Sequence, residues 1–311
     1  MEGGKLVLTS LYIHPVKSCR GIKVDSWKVG RYGLEYDRFW MIADKNYEMM
    51  TQRKYEKLAL ITPKIEELNP EKGSDGRELV LSAPGMAQDL HLPFFPKKEL
   101  YKKIQVIVWE EQVFGYDCGD KAANWLTTFL KMPARIAFKS TDDSRYVTKN
   151  LPKEVDYKPE TAFADTHPFL LVTEESLQDL NKRLKEPVAE RNFRPNIVVK
   201  GCKVPYEEDT WKKIIIGDDP ENIFYVACRC TRCTVPNVNP DTGIKDKLQP
   251  SKTLSSYRRV DPGSKYLACF GMNVIHKKIG SILKVGDPIT VLEIGVHERE
   301  KYVASVVNKK V

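Results

Sequence analysis

Residues 223–243 read IFYVACRCTRCTVPNVNPDTG. The first eight, Ile223 to Cys230, are mostly β-branched, aromatic or small, the composition of a strand. The strand runs into Cys228, Cys230 and Cys233, interleaved with Arg229 and Arg232, and then into an Asn-Pro-Asp-x-Gly turn from Asn239 to Gly243. A thiolate is a soft metal ligand, and nearby positive charge favours its ionised form. Cys233, between Arg232 and the turn, therefore reads as the one reactive or metal-bound cysteine.

Strand followed by turn is the pattern that the rest of the chain repeats. FRPNIVVKG (193–201), WKKIIIGD (211–218) and a hairpin-like KVGDPITVLEIG (284–295) lie around it. Upstream, LVLTSLYIH (6–14) alternates as a strand does, and WKVG, GLEYDRFWMIAD, LALITPKIEEL and RELVLSAP continue in short β pieces, the last two separated by the polar turn NPEKGSDG (69–76). KIQVIVWEEQVFGYD (103–117) reads as a hairpin with Glu110 and Glu111 at its turn.

Two helices stand out. DCGDKAANWLTTFLKM (117–132) puts Trp125, Leu126 and Phe129 on one face, with Asp117 or Asp120 as cap and Pro133 as stop. HPFLLVTEESLQDLNKRLKEPV (167–188) is a buried strand and then a helix capped by Thr173, with Leu177, Leu180 and Leu184 facing the core. No βαβ alternation is visible, so no Rossmann-type sheet is expected. The expected class is α+β and β-rich, a mixed β-barrel architecture with a few helices. The polar, proline-containing stretch 140–165 is expected to be a linker or a loop over a site. It divides the chain into residues 6–140 and 141–296.

With 311 residues, 41% hydrophobic and 30% charged, the chain has room for one large or two ordinary domains and a sizeable core. The net charge of +8 suits an acidic partner, an anionic ligand or a membrane surface. Its basic residues form no long block, so nucleic acid is not implied. The seven cysteines are odd in number and mostly scattered, which fits a reducing compartment better than a disulfide framework. No apolar run approaches the ~20 residues of a membrane span. The first residues carry no signal or transit pattern, so a cytoplasmic protein is expected unless an anchor lies outside this sequence.

Three further groups could carry chemistry. HPVKSCRG (14–21) offers the Lys17 ammonium, the Ser18 hydroxyl and turn N–H groups to an anion, or is an ordinary solvated turn. YDRFW (36–40) sets Arg38 among aromatics, for stacking or phosphate binding, or as an ion pair with Asp37. NFRPN (192–196) aims Arg194 from a backbone held extended by proline and adds Asn196. Gathered with Arg232, these residues would form a pocket for a large planar ligand bearing an anionic group. Two of Cys228, Cys230 and Cys233 with Cys202 or Cys269 also allow a structural zinc site, and Cys228 reads equally as a small buried hydrophobe. No P-loop, GxGxxG or HExxH pattern occurs.

These motifs, in this order with TQR (51–53), DCGD (117–120), FADTHPFLLVTE (163–174) and KVGDP (284–288), make a chain that resembles the MOSC superfamily, and within it the eukaryotic amidoxime-reducing components. The resemblance implies an N-terminal MOSC β-barrel-like region, a C-terminal MOSC β-barrel domain and a molybdenum cofactor, molybdenum-molybdopterin. It implies Cys233 as catalytic metal ligand and Lys17, Ser18, Arg38, Thr166, His167, Arg194, Asn196, Thr231 and Arg232 as cofactor contacts. His167 and Thr231 stand where the family tends to carry serine, and Cys228 is an extra sulfur near the site. The implied activity is reduction of small N-hydroxylated compounds, with electrons from cytochrome b5 and its NADH-dependent reductase, at the mitochondrial outer membrane. No ferredoxin-like cysteine set follows Cys269, so the electron donor is expected to be a separate protein. The alternative within the superfamily is a molybdenum-cofactor carrier or sulfur-transfer protein. A sulfurase would need a pyridoxal-phosphate domain for which this chain has no room.

Overall fold

The computed structural model describes residues 4–67 and 76–300. Most of the 69–76 turn lies outside the described residues. In chain order the strands of the first half are β1 (Val7–Ile13), β2 (Val16–Lys17), β3 (Ile22–Val24), β4 (Ser26–Gly30), β5 (Gly33–Leu34), β6 (Trp40–Ala43), β7 (Thr62–Glu67), β8 (Arg77–Ser82), β9 (Leu90–Pro93), β10 (Lys102–Val108), β11 (Glu111–Asp117) and β12 (Arg135–Lys139). The second half adds β13 (Phe169–Thr173), β14 (Ile197–Lys200), β15 (Trp211–Ile216), β16 (Ile223–Thr231), β17 (Cys269–His276), β18 (Ile282–Lys284) and β19 (Ile289–Ile294). The helices are α1 (Asp120–Leu130), α2 (Glu174–Asn181) and α3 (Ser251–Tyr257). The fold is β-rich α+β, as the sequence pattern implies.

An eight-stranded sheet runs β19-β15-β16-β17-β13-β14-β1-β3, so strands from both ends of the chain share it. A five-stranded sheet runs β10-β11-β12-β6-β2, and two three-stranded sheets flank these. The expectation of no βαβ alternation needs one correction. β13 and β14 pair in parallel, with Leu171 opposite Ile197, and α2 lies in the connection between them. A parallel pair needs such a crossover. All other pairings in this sheet are antiparallel, so no doubly wound sheet results.

Each element follows from its residues. In β1 the alternating residues Leu11 and Ile13 are fully buried in the core on the large sheet, with Phe169, Ile197 and Trp211. α1 buries Trp125, Leu126 and Phe129 against Trp40, Phe94 and Phe138, and each such side chain contributes about 2–3 kcal/mol. Neither expected carboxylate caps α1. Gly119 holds the N-cap position, while Asp117 accepts from the Gly119 N–H at 2.8 Å and pairs with Arg135. The helix ends before Pro133, at Lys131 in the left-handed region (φ 60°). Thr173 does cap α2, its hydroxyl accepting from the Ser176 N–H at 3.3 Å. α2 stops at Asn181, leaving Leu184 beyond it but still against the core. The last β segment is not a hairpin, because β18 pairs with β4 and β19 with β15. Among the described residues no helix is long and apolar enough to cross a membrane.

Candidate active site

The cleft lies where the five-stranded and eight-stranded sheets present their loops to each other, and its volume is about 520 Å³. Every one of the ten residues singled out from the sequence lines it: Lys17, Ser18, Arg38, Thr166, His167, Arg194, Asn196, Thr231, Arg232 and Cys233. Lys17 ends β2, and Arg38 lies in the turn before β6. Thr166 and His167 precede β13, and Arg194 and Asn196 precede β14. Thr231 closes β16, and Arg232 and Cys233 follow it. Ser18, Arg38 and Arg194 adopt positive φ of 68°, 48° and 57°, a conformation that non-glycine residues adopt at an energetic cost, so Arg194 is not held extended before Pro195 as its sequence context suggests.

Asn196 organises the centre. Fully buried, it accepts from Arg38 Nη1 at 2.9 Å and from the Leu170 N–H at 3.2 Å, and donates to the Tyr12 carbonyl at 3.2 Å. Arg38 also pairs with Asp37 at 2.5 Å and donates to the Arg194 carbonyl at 3.0 Å. The structural ion pair considered for Arg38 therefore exists alongside its place in the cleft. Lys17, buried at the floor, donates to the Phe163 carbonyl at 2.8 Å and pairs with Asp165. Burial pushes the Lys17 pKa down, and Asp165 pulls against it.

Arg194 donates to the Cys19 carbonyl, while its Nη2 is buried without a partner. Burial, reinforced by the neighbouring Arg38 charge, brings its pKa down to about 10, so it is a cation at neutral pH. Arg232 donates to the Phe193 carbonyl at 2.9 Å and to Cys230 Sγ at 3.1 Å, and its Nε is likewise buried without a partner. The sequence reading had Arg232 keeping Cys233 ionised. The guanidinium turns to Cys230 instead, because residues two apart on an extended chain share a side and adjacent ones do not. Cys233 Sγ accepts from the Val235 N–H at 3.5 Å. The following turn is held by Asn239, whose side chain accepts from Asp241 and Thr242 N–H groups at 2.8 and 3.2 Å, with Gly243 at φ 67°.

His167 accepts from or donates to Thr166 Oγ1 at 2.9 Å. Burial, then the nearby Arg299 charge, pushes its pKa down to about 3, so its ring is neutral. Cys228 does not line the cleft. It is buried against Arg299 Nη1 at 2.9 Å and Asn273 at 3.4 Å. Among the described residues no three His, Cys, Asp or Glu side chains converge as a metal-ligand set, which leaves the zinc arrangement without its further ligands.

Several lining residues were not identified as site residues from the sequence. Trp109, at the tip of the β10–β11 hairpin, donates to Asp165 at 3.1 Å and carries the Arg53 guanidinium 4.2 Å from its ring centre. Arg145, in the stretch expected to cover a site, donates to the Ala162 and Ala164 carbonyls at 3.2 and 2.5 Å and so ties that loop to the cleft. Arg299 approaches from the far end of the described chain. Arg145 and Arg299 stand alone in the sequence, without the turn or cluster that marked the others, and Trp109 was read only as part of a hairpin turn.

The chemistry of this donor set suits an anionic, metal-bearing ligand. Buried N–H groups without acceptors on Arg194 and Arg232 each cost about 1–3 kcal/mol until an acceptor arrives. Guanidinium groups match phosphate oxygens in charge and geometry. A volume of this size is that of a small-molecule site, and Cys233 offers one thiol beside it.

The chain matches the MOSC N-terminal beta barrel domain over residues 5–133 and the MOSC domain over residues 158–290. It is 36% identical over 295 residues to mitochondrial amidoxime-reducing component 1 of Mus musculus, spanning 92% of this chain and 82% of that protein. The human protein of that name is 36% identical over 296 residues, with the same coverage. Mitochondrial amidoxime reducing component 2 of Bos taurus is 37% identical over 295 residues, covering 91% and 82%. With both domains matched and such relatives aligned over most of their length, this chain belongs to the MOSC-domain family that includes the mitochondrial amidoxime-reducing components.

Proposed function

We propose that this protein is a molybdenum-cofactor oxidoreductase that reduces N-hydroxylated compounds such as amidoximes and hydroxylamines. Its electrons come from cytochrome b5 and the NADH-dependent cytochrome b5 reductase. Its place is the mitochondrial outer membrane, following its relatives, and its division into residues 6–140 and 141–296 belongs to the same reading. The observation that carries the proposal is the convergence of ten residues from five separate segments on one cleft, with a thiol and unsatisfied buried guanidinium nitrogens.

The molybdenum cofactor, when bound, supplies the redox chemistry. Cys233 would hold the metal through its thiolate, a soft donor that would tune it. Arg194 and Arg232 receive anionic groups through their free N–H edges. Asn196 and Asp37 hold Arg38 in place, and Asp165 holds Lys17. Thr166 and Thr231 add hydroxyls. Neutral His167 can give or accept a hydrogen bond without adding charge.

The test is metal and pterin analysis of the purified protein, followed by reduction of benzamidoxime to benzamidine. Near-stoichiometric molybdenum with pterin and benzamidine formation is the expected result. Cofactor without turnover would favour the carrier or sulfur-transfer alternative. Zinc without pterin would overturn both.

A further inference from the structure

Reduction of one N–OH to N–H takes two electrons and two protons and releases one water. A one-electron carrier must therefore dock twice per turnover, close to the metal-bearing thiol, because electron transfer falls steeply with distance. The segment that runs from the Cys233 turn through α3 to β17 is bonded to the cleft at three points. Ser251 Oγ donates to the Cys233 carbonyl at 3.3 Å, the Arg232 N–H to the Ala268 carbonyl at 2.8 Å, and Lys245 Nζ to the Arg53 carbonyl at 2.6 Å.

This segment is unusual in two respects. It exposes Ile244, Leu248, Tyr266 and Leu267, at 69, 53, 86 and 49%. Between residues 244 and 267 it also exposes Lys247, Lys252, Arg259 and Lys265 against Asp246, and the exposed Asp241 just before is paired with Arg20 and Arg191. None of these four cations joins an ion pair among the described residues. Apolar side chains among unpaired like charges form an interaction surface rather than a stability device. The other run of exposed apolar residues, between Ile279 and Val296, bonds to β1, β4 and β15 and borders no part of the cleft.

We propose that the face built by residues 244–267 is the docking surface for an acidic one-electron carrier protein, resting on the redox reading above. The basic residues steer the carrier and the apolar ones seat it beside Cys233. Each docking oxidises one reduced carrier, and two such events supply the electron pair of one reduction. Such encounters bury little area and depend on salt.

The test is calorimetric binding of the oxidised soluble domain of cytochrome b5, at low ionic strength, to the cofactor-loaded protein and to a variant with Lys247→Glu, Lys252→Glu and Lys265→Glu. A tenfold or greater loss of affinity, with a flatter salt dependence, is expected. A second variant, Tyr266→Ser with Leu267→Ser, weakens binding without changing the salt dependence. Equal affinity of wild type and charge variant overturns the docking face. Benzamidoxime reduction driven by dithionite-reduced methyl viologen is unchanged in both variants. If the wild-type protein shows no such activity, the reaction is wrong, while the binding result still decides the face.

Discussion

Lowering the pH from 7.5 to 4.5 places a calculable load on this fold. His14, His167 and His276 are buried and held neutral, His14 well below the usual histidine range, His167 at about 3 and His276 at about 4. Burial is the first cause in all three, and Arg38 and Arg299 add to it at His14 and His167. In the unfolded chain each titrates near 6.5. Below that value the unfolded state binds protons that the native state refuses, so stability is lost as pH falls. Three histidines cost ~4 kcal/mol per pH unit once well below 6.5. Glu208 acts in the opposite sense. Buried beside Thr173 and Ser176, its pKa is raised to about 7, so the native state binds its proton first and gains stability as pH falls toward 4.5. It offsets ~1.4 kcal/mol per unit in that window. From these four groups the expectation is a loss of about 2 kcal/mol between pH 7.5 and 5.5, and about 3 kcal/mol more to pH 4.5; burial also lowers His297, which adds to the loss, and raises Asp37, which offsets it. Urea unfolding at these three pH values, followed by tryptophan fluorescence, measures it. His276→Gln should flatten the lower slope by about two-fifths. A profile level within 1 kcal/mol across this range would refute the claim that these rings are buried and neutral.

Two substitutions separate the scaffold from the chemistry. Asn196→Ala leaves the Leu170 N–H and the Tyr12 carbonyl without their buried partner, and a loss of about 3 kcal/mol in urea unfolding is expected; a loss under 1 kcal/mol would show that Asn196 does not organise the cleft. Cys233→Ala removes a partly exposed side chain whose sulfur accepts one long hydrogen bond, so stability should shift by less than about 1 kcal/mol while amidoxime reduction disappears; retained turnover would exclude Cys233 as the metal ligand.

Much of the fold was legible because its strands are half-buried. β1 and the β10–β11 hairpin alternate, and Thr173 announces α2 as an N-cap. β17 was missed for the opposite reason. Every residue from Cys269 to His276 is buried, so no alternation marks it. The parallel pairing of β13 and β14 was hidden because the short α2 and a further irregular stretch separate them. In the site, arginines beside prolines, turns or cysteines stood out. Arg53, Arg145 and Arg299 have no such neighbours, and their place depends wholly on tertiary contacts. The direction of Arg232 was misjudged because sequence adjacency to Cys233 is not spatial adjacency on an extended chain.

The shared sheet has a consequence for the newly made chain. β1 lies between β14 and β3, and Val7 pairs with Lys200. At ribosomal speeds of about 5–20 residues per second, the partner of β1 emerges roughly 10–40 s after β1 itself. During that interval the apolar face of β1, with Leu8, Leu11 and Ile13, has no core to enter and one edge unpaired. β1 is therefore made well before its sheet can be completed, and the cleft, whose Lys17 and Ser18 follow directly on β1, is assembled only after β14 and β16 have been synthesised.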